Sequence, residues 1–130
     1  MSRMLSIVLL AIVFAVVAGL PAGPGALADT ADVVAAEAVP EGEGLWRFNV
    51  TVRHDDEGWD HYADKWDVVG PQGEIYGTRV LLHPHESEQP FTRSLGGVAI
   101  PESVTRVTLR AHDKLHGYGG KELTITLPAR

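Results

Sequence analysis

Strict alternation of apolar and polar residues is the feature that most constrains how this chain can fold. The clearest run has apolar residues at every second position: Trp46, Phe48, Val50 and Val52. Because successive side chains of a β-strand point to opposite faces, this run predicts a half-buried strand that ends near residue 54. Other apolar or β-branched runs predict further strands at about 62–69, 74–82, 91–95, 104–112 and 121–127.

The spacing of these runs predicts the fold class. Strands recur at intervals of about ten residues, and turn-forming residues such as those at 70–73 separate them. This pattern is typical of an all-β, antiparallel sandwich, here with six to seven strands, and it leaves no convincing helix after the N-terminal segment. Residues 29–44 are predicted to be a linker, with a short edge strand at about 32–38 as an alternative, and the sandwich domain is predicted to span residues 45–128.

The C-terminal part of the chain resembles a known architecture. A strand over 104–112, a glycine-bearing loop, a strand over 121–127 and Pro128 resemble the last hairpin of an immunoglobulin-like or fibronectin type III-like domain. The resemblance covers about residues 45 to 128 and implies an immunoglobulin-like β-sandwich. The cysteine pair and the cysteine–tryptophan spacing of true immunoglobulins are absent, so only the architecture carries over.

Two loop segments carry a second resemblance. The block from His83-Pro84-His85 to Ser94, together with residues 116–120, resembles a small exported bacterial domain family of no established function. This resemblance implies export of the protein, and it supplies no chemistry for the loops themselves.

The first 28 residues have the three parts of a secretory signal peptide. Arg3 supplies a positive charge, residues 5–20 form an uncharged apolar core, and Ala26-Leu27-Ala28 is a cleavage signal. The mature protein is therefore predicted to begin at Asp29, to be exported to the periplasm or the extracellular space, and to keep no stable membrane span. An uncleaved membrane anchor is the alternative, although the apolar run is shorter than the roughly 20 residues that a spanning helix needs.

The chain contains no cysteine, and this absence removes several classes of function. Disulfides, thiolate metal sites, cysteine catalysis and lipid attachment through a lipobox are all excluded. The formal net charge is −6 at pH 7, so nucleic acids and anionic membranes are poor partners. The sequence shows no Ser-His-Asp elbow, no phosphate-binding glycine loop and no spaced pair of catalytic carboxylates. An enzyme is therefore not predicted. A redox-active copper centre is the alternative that would give the protein an enzymatic activity.

The six histidines are the main candidates for chemistry. Consecutive strands of a sandwich run in opposite directions, so the loops at 55–60, 83–89 and 113–120 are predicted to lie at one end, here called the top. All six histidines lie in or beside these three loops, whereas the turns at 70–73 and 96–103 contain none.

Imidazole groups at one end of a sandwich suggest a metal site. Neutral imidazole is a ligand for Zn²⁺ and Cu²⁺, three or four such groups suffice, and nearby carboxylates can fix the ring orientation. Proline restricts the backbone between the first two candidates. The predicted ligands, in order of preference, are His83, His85, His112, His116, His54 and His61. The acidic residues of the same loops are Asp55, Asp56, Glu57, Asp60, Glu86, Glu88 and Asp113.

The function therefore has two competing interpretations. The first is a small exported binding protein that holds Cu²⁺ or Zn²⁺ at its histidine-rich end. The alternative is a non-enzymatic interaction or structural module without metal, which presents the top loops to another exported protein and in which the histidines are solvated or hydrogen-bonded. Arg93, which shares the inward parity of Phe91, is predicted to be structural and to pair with Glu88 or Asp64.

Overall fold

Seven strands and no helix make up residues 30–130, the part of the chain that the computed structural model describes. In chain order the strands are β1 (Asp32–Gly42), β2 (Leu45–Arg53), β3 (Ala63–Val69), β4 (Ile75–Val80), β5 (Phe91–Ala99), β6 (Arg106–Asp113) and β7 (Leu123–Thr126). Within this range no helix is long and apolar enough to cross a membrane. The signal-peptide prediction for residues 1–28 falls outside the described residues.

The strands form two sheets. The first sheet has the order β1-β2-β5 and the second has the order β4-β3-β6-β7, and neighbouring strands are antiparallel throughout. The chain crosses from one sheet to the other between β2 and β3, again between β4 and β5, and again between β5 and β6. The predicted fold class, an all-β antiparallel sandwich of six to seven strands, is therefore confirmed.

The core follows from the alternation in the sequence. The apolar side of β2 is almost fully buried, since Trp46, Phe48, Val50 and Val52 are each no more than 1% exposed. Trp66 and Leu109 contribute to the same core from the second sheet. Burying a large apolar side chain stabilises a protein by about 1.5–3 kcal/mol, so these facing residues hold the two sheets together.

The prediction of a linker over residues 29–44 is wrong where β1 lies. This strand pairs with β2 from Asp32, opposite Arg53, to Gly42, opposite Leu45. Backbone φ angles of 59° at Glu43 and 80° at Gly44 make the tight two-residue connection that a hairpin requires. The sandwich therefore begins before residue 45. The sequence does not predict this strand clearly, because alanine and glutamate have low β propensity.

Strand β5 is longer than the predicted segment at 91–95. It continues to Ala99 because Trp46 of β2 pairs with Val98, after an irregularity in the register between Trp46 and Phe48. Gly97, with a φ angle of 68°, lies within this irregular part. A bulge of this kind admits an extra residue without ending the strand, so the glycines do not form the predicted turn.

A close backbone contact at Gly120 ties β1 to the second sheet. A Cβ atom at this position would lie 1.9 Å from the carbonyl oxygen of Ala31. On either side of the contact, the Lys121 amide donates to Asp32 Oδ1 at 2.7 Å and the Val33 amide donates to the Lys121 carbonyl at 2.8 Å. Only glycine allows the two segments to approach this closely.

We expect Gly120→Ala to lower the free energy of unfolding by about 3 kcal/mol, because the added methyl group forces two backbones apart. Gly42→Ala is the matched control, since Gly42 has a φ angle of 91° but no atom within 4 Å of an added Cβ. The free energy of unfolding of the control should fall by only about 1 kcal/mol, which is the cost of placing alanine at a positive φ angle. Urea denaturation of both variants measures the difference, and equal losses would contradict the proposed contact.

Candidate metal centre at the top of the sandwich

The three predicted top loops meet at one end of the fold. His54, at the end of β2, contacts Asp113, at the end of β6, with 2.6 Å between His54 Nε2 and Asp113 Oδ2. The third loop joins them because the His85 amide donates to Asp56 Oδ2 at 2.7 Å. The convergence predicted from alternating strand directions is therefore present in the structure.

A buried group of three side chains lies at the centre of this end. The Nε2 atoms of His54 and His61 lie 2.6 Å and 2.9 Å from the same oxygen, Asp113 Oδ2. The two imidazole rings meet edge to face with 4.9 Å between their centroids. Within residues 30–130, this is the one group of three His, Asp or Glu side chains whose ligand atoms all lie within 4.8 Å of one another.

Two further carboxylates hold the outer nitrogens of these rings. His54 Nδ1 lies 2.6 Å from Asp56 Oδ1, and His61 Nδ1 lies 2.8 Å from Glu57 Oε1. Each ring therefore has a carboxylate on Nδ1 and directs Nε2 to the central carboxylate. This carboxylate–imidazole arrangement is the one that orients histidine ligands in metal sites.

Asp56 links all three parts of the site. Its Oδ1 accepts from the Ala63 amide at 3.0 Å as well as from His54, and its Oδ2 accepts from the His85 amide. Burial raises the pKa of the Asp56 carboxyl, but these three hydrogen bonds outweigh burial and hold the pKa below its ordinary value of 3.8. Asp56 is therefore an ionised acceptor that joins three segments of chain.

Asp113 is held in the same way. Its Oδ1 accepts from the amides of Leu115 at 2.7 Å and His116 at 3.1 Å, which leaves Oδ2 for the two imidazoles. Burial raises the pKa of Asp113, but hydrogen bonds from the two amides and from His54 outweigh burial and lower the pKa. The site thus contains two buried, ionised carboxylates.

Alternation along the strands explains which side chains point into the site. His54 continues the inward positions of Val50 and Val52 in β2, and Asp113 continues those of Leu109 and Ala111 in β6. This parity is visible in the sequence, and it marks both residues as inward. The predicted order of preference puts His54 and His61 last because it rests on the pair that flanks Pro84 and on the strand end at His112, whereas parity favours His54.

His112 has the opposite parity and lies outside the buried group. Its Nδ1 lies 2.6 Å from Asp64 Oδ1, and its ring meets Tyr118 edge to face with 4.8 Å between centroids. Because neighbouring residues of a strand face opposite sides of the sheet, His112 and Asp113 cannot both point inward.

His85 is buried but is engaged elsewhere. Its ring stacks on Phe91 with 4.0 Å between centroids, and its Nε2 accepts from Arg93 Nη2 at 2.9 Å. A guanidinium group only donates, so Nε2 carries no proton and the proton of the neutral ring is on Nδ1, 4.0 Å from Asp56 Oδ2. Burial lowers the pKa of His85, and the charge of Arg93 lowers it further. Arg93 also contacts Glu88 Oε1 at 3.4 Å, as predicted.

The two remaining histidines are exposed. His83 lies beside His85 with 4.7 Å between ring centroids, and its Nδ1 donates to the Pro84 carbonyl at 3.1 Å. His116 lies beside His61, edge to face, with 5.0 Å between ring centroids. The structure therefore brings the rings of His54 and His61 to the Asp113 carboxylate, with the ring of His116 beside that of His61. It keeps the pair that flanks Pro84, His83 and His85, in the loop whose backbone bonds to Asp56.

A polar cluster on the outer face of the second sheet fixes the loop that carries His116. Asp67, only 1% exposed, accepts from Tyr118 Oη at 2.5 Å, from Thr78 Oγ1 at 2.7 Å and from Arg110 Nε at 3.1 Å. The Arg110 guanidinium lies over the Tyr118 ring, 4.0 Å from its centroid. Burial and the bond to Asp67 raise the pKa of Tyr118 to about 12, so its hydroxyl remains a donor.

Comparison with known proteins finds a relative that is similar over part of the chain. No protein-family profile and no solved structure match this chain. A protein of Halomicrobium mukohataei, described as a "Putative lipoprotein", is 49% identical over 78 residues. The matched part is 60% of this chain and 38% of that protein, so the chain spans less than half of its relative. The immunoglobulin-like name remains a prediction, and the chemistry of the site rests on its geometry.

Asp67 should make the protein sensitive to acid. Burial raises the pKa of Asp67, but its hydrogen bonds outweigh burial, and the folded pKa lies below the ordinary 3.8. A carboxyl with a lowered folded pKa stabilises the protein above its unfolded pKa, and this stability is lost as the pH falls through the folded value. We expect the free energy of unfolding of Asp67→Asn at pH 7 to be about 2 kcal/mol below that of the wild type. As the pH falls from about 5 to about 3, the free energy of unfolding should decrease less in the variant than in the wild type.

Urea denaturation at several pH values measures this effect. Asp60→Asn is the control, because Asp60 is an exposed loop residue whose replacement should leave the stability at pH 7 unchanged. Asp56 and Asp113 also have lowered pKa values and retain part of this pH dependence, so only a slope as steep as that of the wild type in Asp67→Asn would contradict the role given to this carboxyl.

Proposed function

We propose that this chain is a small exported binding protein that holds one Cu²⁺ or Zn²⁺ ion at His54 Nε2, His61 Nε2 and Asp113 Oδ2. The observation that carries the proposal is the convergence of two buried imidazole nitrogens on one carboxylate oxygen. Nitrogen and oxygen donors of this kind suit both ions, and neither requires a thiolate.

The donor separations differ from those of a coordinated ion in two ways. Donors about 2.0–2.1 Å from a tetrahedral ion lie about 3.3 Å apart. The nitrogen–oxygen separations of 2.6 Å and 2.9 Å are hydrogen bonds, so binding requires these atoms to move apart by roughly 0.4–0.7 Å and requires the loss of the Nε2 protons. The two Nε2 atoms, which lie within 4.8 Å of each other, must approach by up to about 1.5 Å. The Nδ1 bonds to Asp56 and Glu57 can remain in place during this change.

Charge supports a cation at this position. Asp56 and Asp113 both have side chains without solvent exposure, and both are ionised. Buried carboxylates are costly unless positive charge or several hydrogen bonds compensate them. His54 donates to an ionised carboxylate from each ring nitrogen and so already supplies part of that positive charge. A divalent ion would displace the Nε2 proton and take over this role, and three protein ligands leave a fourth position for water.

The proposed ligands differ from the residues that the sequence favoured. His83, His85 and His112 have other partners, which are the Pro84 carbonyl, Arg93 and Asp64. We therefore assign no coordination to these three histidines and place the ion at His54, His61 and Asp113.

Export is part of the same proposal. It is supported by the signal-peptide pattern in residues 1–28 and by the description of the Halomicrobium mukohataei relative as a lipoprotein. We propose the periplasm or the extracellular space as the location of the exported protein. The placement of β4 beside β3, in the sheet that also contains β6 and β7, supports an immunoglobulin-like or fibronectin type III-like sandwich.

A second candidate function is the interaction module. Three large apolar side chains are exposed on the top loops: Trp59 (61%), Leu82 (73%) and Leu115 (63%). Exposed apolar groups at one end favour contact with another exported protein. Titration with metal separates the two candidates, because only the first requires a bound ion.

We expect the metal-free exported protein to bind one Cu²⁺ or Zn²⁺ ion, with copper bound more tightly because of the ligand types. His61→Gln and Asp113→Asn should each weaken binding by at least tenfold, since each removes one of three ligands. Isothermal titration with each ion measures both affinities.

His83→Ala is the matched control for this titration, because it removes an exposed imidazole from the same end without touching the buried group. Its affinity should equal that of the wild type. If neither ion binds to the wild type more tightly than about 10 μM, equivalent to roughly −7 kcal/mol, the metal proposal is wrong and the interaction module is the better candidate.

Export has its own test. We expect the protein recovered outside the cytoplasm to have a mass that corresponds to a chain beginning at Asp29, because Ala26-Leu27-Ala28 precedes that residue. Intact-mass spectrometry of the exported fraction measures this mass. A chain that retains residue 1 in the membrane fraction would contradict cleavage.

A further inference from the structure

Among the described residues, the three proposed metal ligands have exposed side-chain surface only at His61. The side chains of His54 and Asp113 have no exposed surface, whereas the His61 side chain is 10% exposed. An ion that enters the site without opening the core must therefore pass the ring of His61.

Two exposed side chains lie beside that ring. His116 meets His61 edge to face with 5.0 Å between centroids. Glu57, whose side chain is 67% exposed, holds His61 Nδ1 at 2.8 Å. The gap is thus bordered by an imidazole, which binds transition metals, and by a carboxylate, which attracts cations.

The backbone keeps His116 at this gap. Its amide donates to Asp113 Oδ1 at 3.1 Å. The turn that carries it is closed by two backbone bonds between Asp113 and Gly117, of 2.9 Å and 2.7 Å. Only the backbone of His116 takes part in these bonds, so its ring is held near the gap and can still turn toward solvent.

We infer that the ion reaches the buried site past His61, and that His116 binds it transiently on the way in and on the way out. This inference rests on the metal site proposed above. His116 is not one of the three side chains whose ligand atoms lie within 4.8 Å of one another, so it acts as a transfer ligand and not as a resident one. A group that stabilises the ion only during passage speeds binding and release equally and leaves the affinity unchanged.

Stopped-flow mixing of the metal-free exported protein with Zn²⁺, followed with a chromophoric indicator, tests the inference. His116→Ala should slow association about tenfold and slow release about tenfold, with the dissociation constant within threefold of the wild type. The variant should remain folded, because alanine keeps the amide that bonds to Asp113. His83→Ala, which removes the other exposed imidazole of the top, should change neither rate by more than twofold.

Each other outcome overturns the inference in a distinct way. Faster release with weaker affinity in His116→Ala would make His116 a resident ligand, and faster association would make its ring an obstacle. Unchanged rates in His116→Ala, or equal slowing in His83→Ala, would show that the ion does not use this gap, while the metal site itself would stand. A wild type that takes up no Zn²⁺ and no Cu²⁺ would overturn both the gap and the site.

Discussion

The contact between His54 and Asp113 joins the two sheets at their top end. His54 follows β2 of the first sheet and Asp113 ends β6 of the second, so one 2.6 Å contact connects segments that are 59 residues apart. Both side chains are fully buried, and a buried carboxylate without partners would be strongly destabilising. The amides of Leu115 and His116 and the ring of His61 must therefore stay in place, which specifies the positions of all these loop segments.

The sandwich could be predicted from the sequence because its core strands alternate clearly. The inward side chains of β2 are the same ones that alternation marks, and the direction of successive strands correctly placed three loops at one end. Strand β1 could not be predicted with the same clarity. It is rich in alanine, its turn residues are Glu43 and Gly44, and its stability comes from pairing with β2 and from the contact at Gly120, neither of which is local.

The identity of the buried group was predictable only in part. Parity places His54 and Asp113 inward and His112 outward, and this much could be read from the strands. By contrast, the pair of histidines that flanks Pro84 is prominent in the sequence. In the structure, however, His85 Nε2 accepts a hydrogen bond from Arg93 of β5. His61 lies in an irregular loop, where no periodicity exists, so its approach to Asp113 depends on the tertiary fold.

The hydrogen bonds of the group also bear on what kind of metal site it would be. Small domains with structural zinc sites are commonly unfolded without their ion, because the free energy of metal binding supplies the free energy of folding. Here both imidazoles already bond to Asp113, and Asp56 and Glu57 hold their outer nitrogens, so the top of the sandwich is closed before any ion arrives. An ion must displace bonds to a charged carboxylate, worth about 1.5–3 kcal/mol each, and it gains ligands whose orientation is already set. For such a site, this balance favours reversible loading of a folded protein over an ion that the fold needs in order to form.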